Sequence, residues 1–366
     1  MRITFLIPSP NMSGGIRVLS IYAKRLNQRG HQVRILELPK LGTTFRAKVK
    51  SLILGRGWPK DIRTEPSHFD ELDIPRRALD SVTPRPESFP DADVILATFW
   101  RTGPIVSSLP SRKGAKAIIL QGYETSPGHE DDEIDAVWRM PLQKIVISKW
   151  MVDFARTRFA DGEVFLIQNS VDCDLFNAKP RGKQKRPTLG FLYATLHLKG
   201  FDVVRGAIER VREKFQDLRV IAFGAESEIA SAPLPTGIEF HFRPQQKSLR
   251  DLYAECDVWV CGSRREGFHL PPLEAMACRC PVVSTRVGGP IDTVEDGVNG
   301  FLVDVDDVEG LAAQVIRVLS LPEDAWRRMS EAALETATRY NWDDATDLLE
   351  AVLVQITQES LDRATK

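Results

Sequence analysis

The sequence lacks the features that mark several large classes of protein. Its 49 Lys and Arg are matched by 50 Asp and Glu. This balance argues against a dedicated nucleic-acid binder, because such proteins usually carry a basic excess. No apolar run reaches the ~20 residues that a membrane-spanning helix needs. The opening stretch ITFLIPSP is short, meets a proline and has no cleavage site, so it predicts a strand rather than a signal peptide.

Cysteine is scarce, and its pattern is not that of a metal site. The chain has five cysteines, an odd number that is most simply explained by reduced thiols in a cytoplasmic protein. Four of them lie between residues 256 and 280, in the apolar strand-like runs CDVWVCGS and CRCPVVST, without paired CxxC arms. We therefore expect small buried apolar side chains rather than a zinc site.

Strand and helix patterns alternate along the first half of the chain. The strand in ITFLIPSP is followed by a helix, whose apolar residues recur at helical spacing from Ile16 to Leu26, and by the strand HQVRILEL. A βαβ unit of this kind predicts a parallel sheet. Further strand candidates follow at 93–99, 116–122, 144–148 and 163–170.

The same alternation restarts after NAKPRGKQKRPT, residues 177–188, which is polar, basic and without hydrophobic period. The strands TLGFLYA, LRVIAFG, IEFHF, DVWVCGS and PVVST then alternate with helical segments, and the chain beyond residue 308 is almost wholly helical by pattern. With 366 residues, 43% of them apolar, the chain is long enough for two cores. We predict α/β architecture with doubly wound domains at 1–178 and 188–338, a linker at 179–187 and a C-terminal helix at 339–366.

Residues 40–63, KLGTTFRAKVKSLILGRGWPKDIR, form a basic amphipathic segment. The segment contains seven Lys or Arg and a single acidic residue, and its apolar residues make a stripe at helical spacing. Two interpretations stay open. The stripe packs on the core beneath a solvated face, or the segment lies on the anionic inner surface of a membrane.

The stretch SRREGFHLPPLEAMA, residues 263–277, contains the most informative pattern. Glu266 follows the strand DVWVCG, at the carboxyl end where open α/β sheets bind ligands. Two prolines suit the first turn of a helix that places Glu274 on the same crevice. Between the two carboxylates, the N–H groups from Gly267 to Leu270 lie at the positive end of this helix and suit a phosphate. A ligand with hydroxyls at both ends and phosphates between them, such as a nucleotide sugar, fits this order.

The segment EGFHLPPLEAMA resembles the E-x7-E signature of the retaining glycosyltransferases of family 4, glycosyltransferase group 1, which have the GT-B fold. Further matches run in order along almost the whole chain: the Gly14-Gly15 loop, RGHQV at 29–33, NSVDCDLF at 169–176, LKGFD at 198–202, GGPIDTVEDGVNGFLV at 288–303 and YNWDDA at 340–345. The resemblance implies two Rossmann-like domains that face a central cleft, with the C-terminal helix crossing back to the N-terminal domain.

The resemblance also implies roles for individual residues. Glu274 would accept hydrogen bonds from the ribose hydroxyls, as carboxylates do. Glu266 would contact the hydroxyls of the donor sugar, and Lys199 would neutralise the diphosphate. The remaining donor-binding groups would be the backbone of Gly14, Gly15, Gly267, Phe268, His269 and Leu270. With cationic and amide groups on the leaving diphosphate, no metal ion and no other cofactor is expected.

One departure from the family pattern concerns the diphosphate. The family usually has an arginine five or six residues before the lysine, but Tyr193 and Ala194 stand in those positions here. The candidate substitutes are His197, Arg264, Arg265 and Arg286. The nucleotide base is expected to be selected around Phe242–Gln246.

A second departure concerns the donor sugar. Where the family often has His-Gly in the N-terminal domain, this chain has Gln121-Gly122, with Glu124 shortly after. Gln121 is able to hydrogen-bond the sugar but not to act as a base. Glu124 is either a catalytic base or an ordinary loop carboxylate. His269 replaces the commoner glycine beside Glu266, and both packing and chemistry stay open for it.

The sequence thus predicts transfer of a hexose-type sugar from a nucleoside-diphosphate sugar to a hydroxyl acceptor, with retention at the anomeric carbon. The acceptor would be a sugar or lipid-linked glycan of bacterial surface polysaccharide or lipopolysaccharide synthesis, met in the cytoplasm or at the inner membrane surface. Thr98, Trp100 and Arg101 are candidate acceptor-side residues. The alternatives are a non-catalytic nucleotide-sugar-binding subunit and a GT-B-fold epimerase. A nicotinamide-dependent dehydrogenase is disfavoured, because Ser-Gly-Gly lacks the GxGxxG spacing.

Overall fold

The computed structural model describes residues 1–39, 66–123, 131–160, 163–229 and 231–364. Contacts divide the chain into two compact units. The first comprises residues 1–146, 154–167 and 346–366, and the second comprises residues 147–153 and 168–345. The segment 40–63 and Glu124 lie outside the described residues, so the expectations for them stay predictions.

A parallel sheet of seven strands forms the centre of the first unit. Its spatial order is β3-β2-β1-β4-β5-β6-β7. The strands are β1 (Arg2–Ile7), β2 (Gln32–Glu37), β3 (Arg76–Ala78), β4 (Val94–Ala97), β5 (Ala115–Leu120), β6 (Gln143–Val146) and β7 (Val164–Leu166). Among the described residues, the α-helices of this part of the chain are α1 (Gly14–Gln28), α2 (Thr102–Ser108), α3 (Asp131–Trp138) and α4 (Lys149–Phe159).

The first βαβ unit forms for the reasons its sequence indicated. Every residue of β1 after Arg2 is buried, as expected for a central strand of a parallel sheet. The Ser13 hydroxyl accepts a hydrogen bond from the Ile16 N–H at 3.4 Å and caps α1. The strand order changes direction between β1 and β4, so the Gly14-Gly15 turn lies at a switch point where such sheets bind ligands.

The second unit contains a parallel sheet of six strands in the order β10-β9-β8-β11-β12-β13. The strands are β8 (Thr188–Leu192), β9 (Arg219–Gly224), β10 (Ile238–Phe242), β11 (Val258–Cys261), β12 (Val282–Thr285) and β13 (Gly300–Val303). The helices are α5 (Phe201–Lys214), α6 (Gln246–Ala254), α7 (Leu270–Ala277), α8 (Pro290–Thr293), α9 (Val308–Leu319), α10 (Glu323–Thr338) and α11 (Trp342–Ala364). Here the order reverses between β8 and β11, which are hydrogen-bonded neighbours.

An aromatic cluster lies under the second sheet's switch point. The Trp259 ring of β11 lies 4.6 Å from the Tyr253 ring and 5.3 Å from the Phe223 ring, centroid to centroid. All three side chains are buried. Each side chain contributes roughly 1.5–3 kcal/mol by burial alone, so the three rings stabilise the packing around β11.

The C-terminal helix α11 contributes residues to both compact units. Its residues from Thr346 onward belong to the first unit. There Glu350 accepts hydrogen bonds from Arg29 Nη1 at 2.9 Å and lies 2.8 Å from His31 Nε2. Among the residues that the structure describes, no helix has both the length and the apolar character to cross a membrane.

The predicted class of two α/β units with parallel sheets is confirmed, and most predicted strands and helices lie where the patterns placed them. Two strands were not predicted. The three residues of β3 are all exposed and include two arginines, so they carry no hydrophobic pattern. The four residues of β13 fall inside the stretch GGPIDTVEDGVNGFLV, where no strand was assigned.

Gly200 allows the closest approach of two loops at the switch point of the second sheet. It has φ of +60°, and a Cβ added there would overlap the carbonyl oxygen of Gly262. We expect Gly200→Ala to destabilise the fold by more than the ~1 kcal/mol that a left-handed conformation alone costs a non-glycine residue. Gly237→Ala is the matched control, since its φ is +78° but the nearest atom is 3.9 Å away. Urea denaturation of both variants measures the difference, and equal losses would contradict this packing constraint.

Candidate functional site

Lys199 and Glu266 meet at the carboxyl ends of β8 and β11. Lys199 ends the 3-10 turn His197–Lys199 after β8, and Glu266 lies in the loop after β11. The Leu198 carbonyl accepts a hydrogen bond from the Arg264 N–H at 2.8 Å and joins the two loops. The Lys199 ammonium donates to both carboxylate oxygens of Glu266, at 2.9 and 2.8 Å. The strand order therefore creates this ion pair from residues 67 apart in sequence.

The Glu266 carboxylate is buried and has two further neighbours. The Ser263 hydroxyl donates to Oε1 at 2.8 Å, and His269 Nδ1 lies 3.0 Å from the same oxygen. Only 7% of the Glu266 side chain is exposed. Burial alone would raise the pKa of this carboxyl, but the neighbouring His269 and Lys199 outweigh burial and lower the pKa to about 2. Glu266 is therefore an ionised carboxylate that is fixed in orientation.

His269 occupies an unusual backbone position at the start of α7. Its φ is +71°, in the left-handed region that non-glycine residues rarely adopt. The side chain is 5% exposed, with Nε2 3.3 Å from the Cys261 Sγ. The imidazole thus bridges Glu266 and Cys261. Sequence analysis placed His269 near the donor site but did not identify Cys261 as its partner.

The helix α7 begins as its prolines predicted. Its first residue is Leu270, with Pro271 and Pro272 in the first turn, where a missing N–H costs no hydrogen bond. Glu274 is 4% exposed, and the Tyr253 hydroxyl donates to its Oε2 at 2.8 Å. This hydrogen bond fixes the carboxylate of Glu274 against α6.

Hydrogen bonds hold the carbonyls of two successive peptides, those of Gly267 and Phe268. The Gly267 carbonyl accepts hydrogen bonds from Trp150 Nε1 at 2.8 Å and from the Ser148 hydroxyl at 3.1 Å. The Phe268 carbonyl accepts from the Gly289 N–H at 2.6 Å. Because the peptide is planar and trans, the fixed Gly267 carbonyl also fixes the opposite direction for the Phe268 N–H. Sequence analysis missed Ser148 and Trp150, since nothing in KIVISKW marks them as partners of this loop.

Two of the three candidate arginines of the second unit form ion pairs with aspartates. Arg264 forms ion pairs with Asp202 at 2.6 Å and with Asp306 at 2.7 Å, and its pKa is raised chiefly by the hydrogen bond to Asp202. Arg286 lies 3.2 Å from Asp296. Both guanidinium groups are therefore neutralised by aspartates, which weakens the expectation that either replaces the family's diphosphate arginine. Arg265 is exposed, and so is His197.

Two further expectations concern Tyr193, which stands where the family has its arginine, and the segment Phe242–Gln246, which was expected to select the nucleotide base. Both lie in the second unit. The Tyr193 side chain is buried and its hydroxyl donates to the Ala232 carbonyl at 2.8 Å, so it packs in the core. Phe242 is 52% exposed at the end of β10, and Arg243 follows it with its guanidinium 5.1 Å from the ring centroid. Gln246 begins α6. An exposed aromatic and a cation therefore lie in the segment where base selection was expected.

In the first unit, Gln121 lies against the Gly14-Gly15 turn. Its Nε2 donates to the Gly15 carbonyl at 3.2 Å, and a Cβ at Gly15 would lie 3.3 Å from the same nitrogen. Gln121 and the Gly14-Gly15 turn, both expected to bind the donor, are therefore adjacent within the first unit. Thr98 is less suited to acceptor binding than expected, because it is buried and its hydroxyl donates to the Leu6 carbonyl at 2.9 Å.

The comparisons with solved structures identify the fold class. Sucrose-phosphate synthase from Thermosynechococcus elongatus superposes with a TM-score of 0.75 at 17% identity, over 98% of this chain and 100% of that chain. An Anabaena protein in complex with UDP and glucose gives a TM-score of 0.73 at 16% identity, over 97% and 100%. The two units thus have the GT-B glycosyltransferase fold that the sequence resemblance implied.

The sequence comparisons match part of the chain to one family model and to several named proteins. Residues 174–336, which contain Lys199, Glu266 and Glu274, match the family model "Glycosyl transferases group 1", the group that the resemblance predicted. D-inositol 3-phosphate glycosyltransferase from Saccharomonospora viridis is 41% identical over 110 residues, 30% of this chain and 25% of that protein. The corresponding protein 1 from Catenulispora acidiphila is 29% identical over 304 residues, 72% of each chain. The alignment therefore spans only a quarter of the first of these relatives.

The lowered pKa of Glu266 predicts a specific loss of stability in acid. A carboxylate with a folded pKa of about 2 stabilises the fold at pH values above its ordinary pKa of 4.5, and this contribution disappears as the pH falls from 4.5 toward 2. Glu266→Gln cannot titrate. We expect the stability difference between the wild type and this variant to shrink by roughly 1–3 kcal/mol over that window.

Urea denaturation at several pH values between 7 and 3 measures this difference. Glu335→Gln, an exposed position on α10, is the control for a general effect of removing one carboxylate. A difference between wild type and Glu266→Gln that stays constant from pH 7 to pH 3 would show that the buried carboxylate is not ionised at low pH.

Proposed function

We propose that the chain transfers a hexose-type sugar from a nucleoside-diphosphate sugar to a hydroxyl acceptor, with retention at the anomeric carbon and without a divalent metal. One observation carries the proposal. The group 1 segment places the ion pair of Lys199 and Glu266 at the switch point of a parallel sheet, with Glu274 on the helix that follows. Open α/β sheets bind their ligands at this point.

In this proposal Glu274 binds the ribose. A carboxylate accepts two hydroxyl donors well, and charged acceptors make stronger hydrogen bonds than neutral ones. The Tyr253 hydroxyl restricts the orientation of the carboxylate before the ligand arrives. This restriction reduces the entropy lost on binding.

The diphosphate binds to Lys199 and to the backbone at the start of α7. The Lys199 side chain is 32% exposed, so its ammonium is accessible to a ligand. The Phe268 N–H has a fixed direction because the Gly267 carbonyl is held by Ser148 and Trp150. Oriented N–H groups and a cation stabilise the charge that develops on a leaving diphosphate, so the proposal needs no metal ion.

The reaction breaks the bond between the anomeric carbon and the diphosphate oxygen. The acceptor oxygen then forms a new bond to the same face of that carbon, and its proton passes to the departing phosphate oxygen. Glu266, ionised and fixed, orients the sugar hydroxyls and stabilises the positive charge that builds on the sugar ring. Gln121 and the adjacent Gly14-Gly15 turn of the first unit are proposed as further groups that bind the donor. Positioning and electrostatics supply the rate enhancement.

The acceptor carries at least one hydroxyl, and we propose a sugar or lipid-linked glycan of bacterial surface polysaccharide synthesis. Support for the donor class comes from the solved neighbour that holds UDP and glucose. The curated relatives are named for transfer to inositol phosphate and for synthesis of a glucosaminyl malate, so small hydroxylated anions belong in the acceptor screen as well.

Nucleotide binding is tested by thermal unfolding in EDTA with UDP, GDP, ADP, dTDP and CDP. We expect one nucleotide to stabilise the wild type, by about 2.7 kcal/mol at a hundred times its dissociation constant. Glu274→Ala is expected to weaken this binding by roughly 1–3 kcal/mol, because hydrogen bonds to a charged acceptor are lost. Glu335→Ala, exposed on α10, serves as the control and should respond like the wild type.

Two results would contradict the proposal. If no nucleoside diphosphate stabilises the wild type, the chain does not bind a nucleotide-sugar donor. If Glu274→Ala binds as tightly as the wild type, the ribose does not bind at Glu274. Binding without any donor turnover would instead support a non-catalytic nucleotide-sugar-binding subunit.

Stereochemistry and the role of Glu266 are tested on the product. With the donor that the nucleotide panel selects, proton NMR of the first product formed should show the anomeric configuration of the donor. Glu266→Gln should lower kcat by at least about tenfold without weakening nucleotide binding, because Glu266 acts on the sugar in the transition state. An inverted anomer would exclude the retaining mechanism, and an equal loss of affinity and kcat would exclude the assigned sugar role.

A further inference from the structure

His269 lies in a network that tolerates a change of its charge. Nδ1 is 3.0 Å from Glu266 Oε1, which requires an N–H on this nitrogen because a carboxylate only accepts. Nε2 is 3.3 Å from the Cys261 Sγ. A thiol is both a weak donor and a weak acceptor, so Nε2 has a partner whether or not it carries a proton. The imidazole therefore gains or loses one proton without losing either contact.

The other titratable groups around this imidazole have fixed charges near neutral pH. Burial, and then the Glu266 charge, raise the pKa of the Cys261 thiol well above its usual range, so the thiol stays neutral. Glu266 is ionised. Lys199 is a cation that pairs with Glu266. Arg264, in the same loop, is neutralised by Asp202 and Asp306. The remaining side chain of this network is the imidazole of His269, which carries one N–H when neutral and two when protonated.

Binding of a diphosphate changes the balance of charge at Glu266. Lys199 donates to both oxygens of this carboxylate, yet it is also the cation that the proposed function assigns to the diphosphate. When its ammonium turns toward a phosphate, a carboxylate that is only 7% exposed loses the cation that contacts both of its oxygens. A buried charge without a partner is strongly destabilising. A proton on His269 restores a cation beside Glu266 at a distance of 3.0 Å.

We propose that binding of a nucleoside diphosphate is coupled to the uptake of one proton at His269 Nε2, so that His269 replaces Lys199 as the counter-ion of Glu266. The proton comes from solvent and no covalent bond changes. His269 is then a positioning residue, which keeps Glu266 ionised and in place while Lys199 binds the diphosphate. The inference rests on the proposed nucleotide-sugar site and adds a pH dependence to it.

The test is the number of protons taken up on binding. Isothermal titration calorimetry with the nucleoside diphosphate, in buffers that differ in ionisation enthalpy, gives this number at each pH between 6.5 and 8.5. We expect the wild type to take up close to one proton at its maximum and to lose affinity by up to about tenfold per pH unit as the pH rises through that region. The sign follows because a proton taken up on binding is harder to obtain at higher pH.

His269→Asn is the matched variant. Asparagine tolerates the left-handed backbone and its side-chain amide still donates to Glu266, but it does not take up a proton. Proton exchange by the phosphate itself is common to both proteins, so the difference between them isolates His269. We expect this difference to be close to one proton, and the affinity of His269→Asn to change little across the same pH range. Cys261→Ser, which keeps a donor and acceptor next to Nε2, should retain the uptake.

The outcomes separate this inference from the proposed function. If the wild type binds the nucleotide and His269→Asn shows the same proton number and pH dependence, the inference is wrong and the proposed function stands. If the wild type binds no nucleoside diphosphate, both fail. The melting temperature of the unliganded variants reports whether they fold, and His269→Gly, which has no Cβ to strain at this φ, replaces His269→Asn if that variant does not.

Discussion

The structure of the site depends on one buried carboxylate. Glu266 is ionised although it is almost wholly removed from water, and this is tolerated only because Lys199, Ser263 and His269 surround it at 2.8–3.0 Å. Those partners come from two loops that must approach each other closely. Gly200 and Gly262 permit this approach, and Gly288, whose Cβ would lie 2.8 Å from the Glu266 Cβ, permits it on the other side.

The location of the pair follows from the parallel sheet. Because β8 and β11 are neighbours whose connections leave in opposite directions, their carboxyl ends leave a crevice, and the side chains after both strands enter it. The aromatic cluster of Tyr253, Trp259 and Phe223 fixes the end of β11, and Tyr253 also donates to Glu274. Tyr253 is thus both a buried residue of the core and the donor that orients Glu274. Stability and ligand geometry are therefore coupled in this unit.

The amino-acid sequence alone was sufficient to predict the features that depend on local pattern. Apolar strands, the helix that starts at two prolines and the spacing of Glu266 and Glu274 all follow from residues close together in the chain. The contacts of the site do not. The bond from Lys199 to Glu266, the donors from Ser148 and Trp150 to Gly267, and the contact of His269 with Cys261 join residues that only the tertiary fold brings together. Likewise, only the structure shows that Asp202 and Asp306 neutralise Arg264, which sequence left open as a phosphate ligand.

The most direct test of the account is a crystal structure of the chain with the nucleoside diphosphate that binds it. The account predicts that the Lys199 ammonium leaves at least one oxygen of Glu266 and lies within hydrogen-bonding distance of a phosphate oxygen, with the ribose on Glu274 and the imidazole of His269 still on Glu266. A nucleotide bound elsewhere, with Lys199 still on both oxygens of Glu266, would contradict the central claim that this ion pair is the diphosphate site.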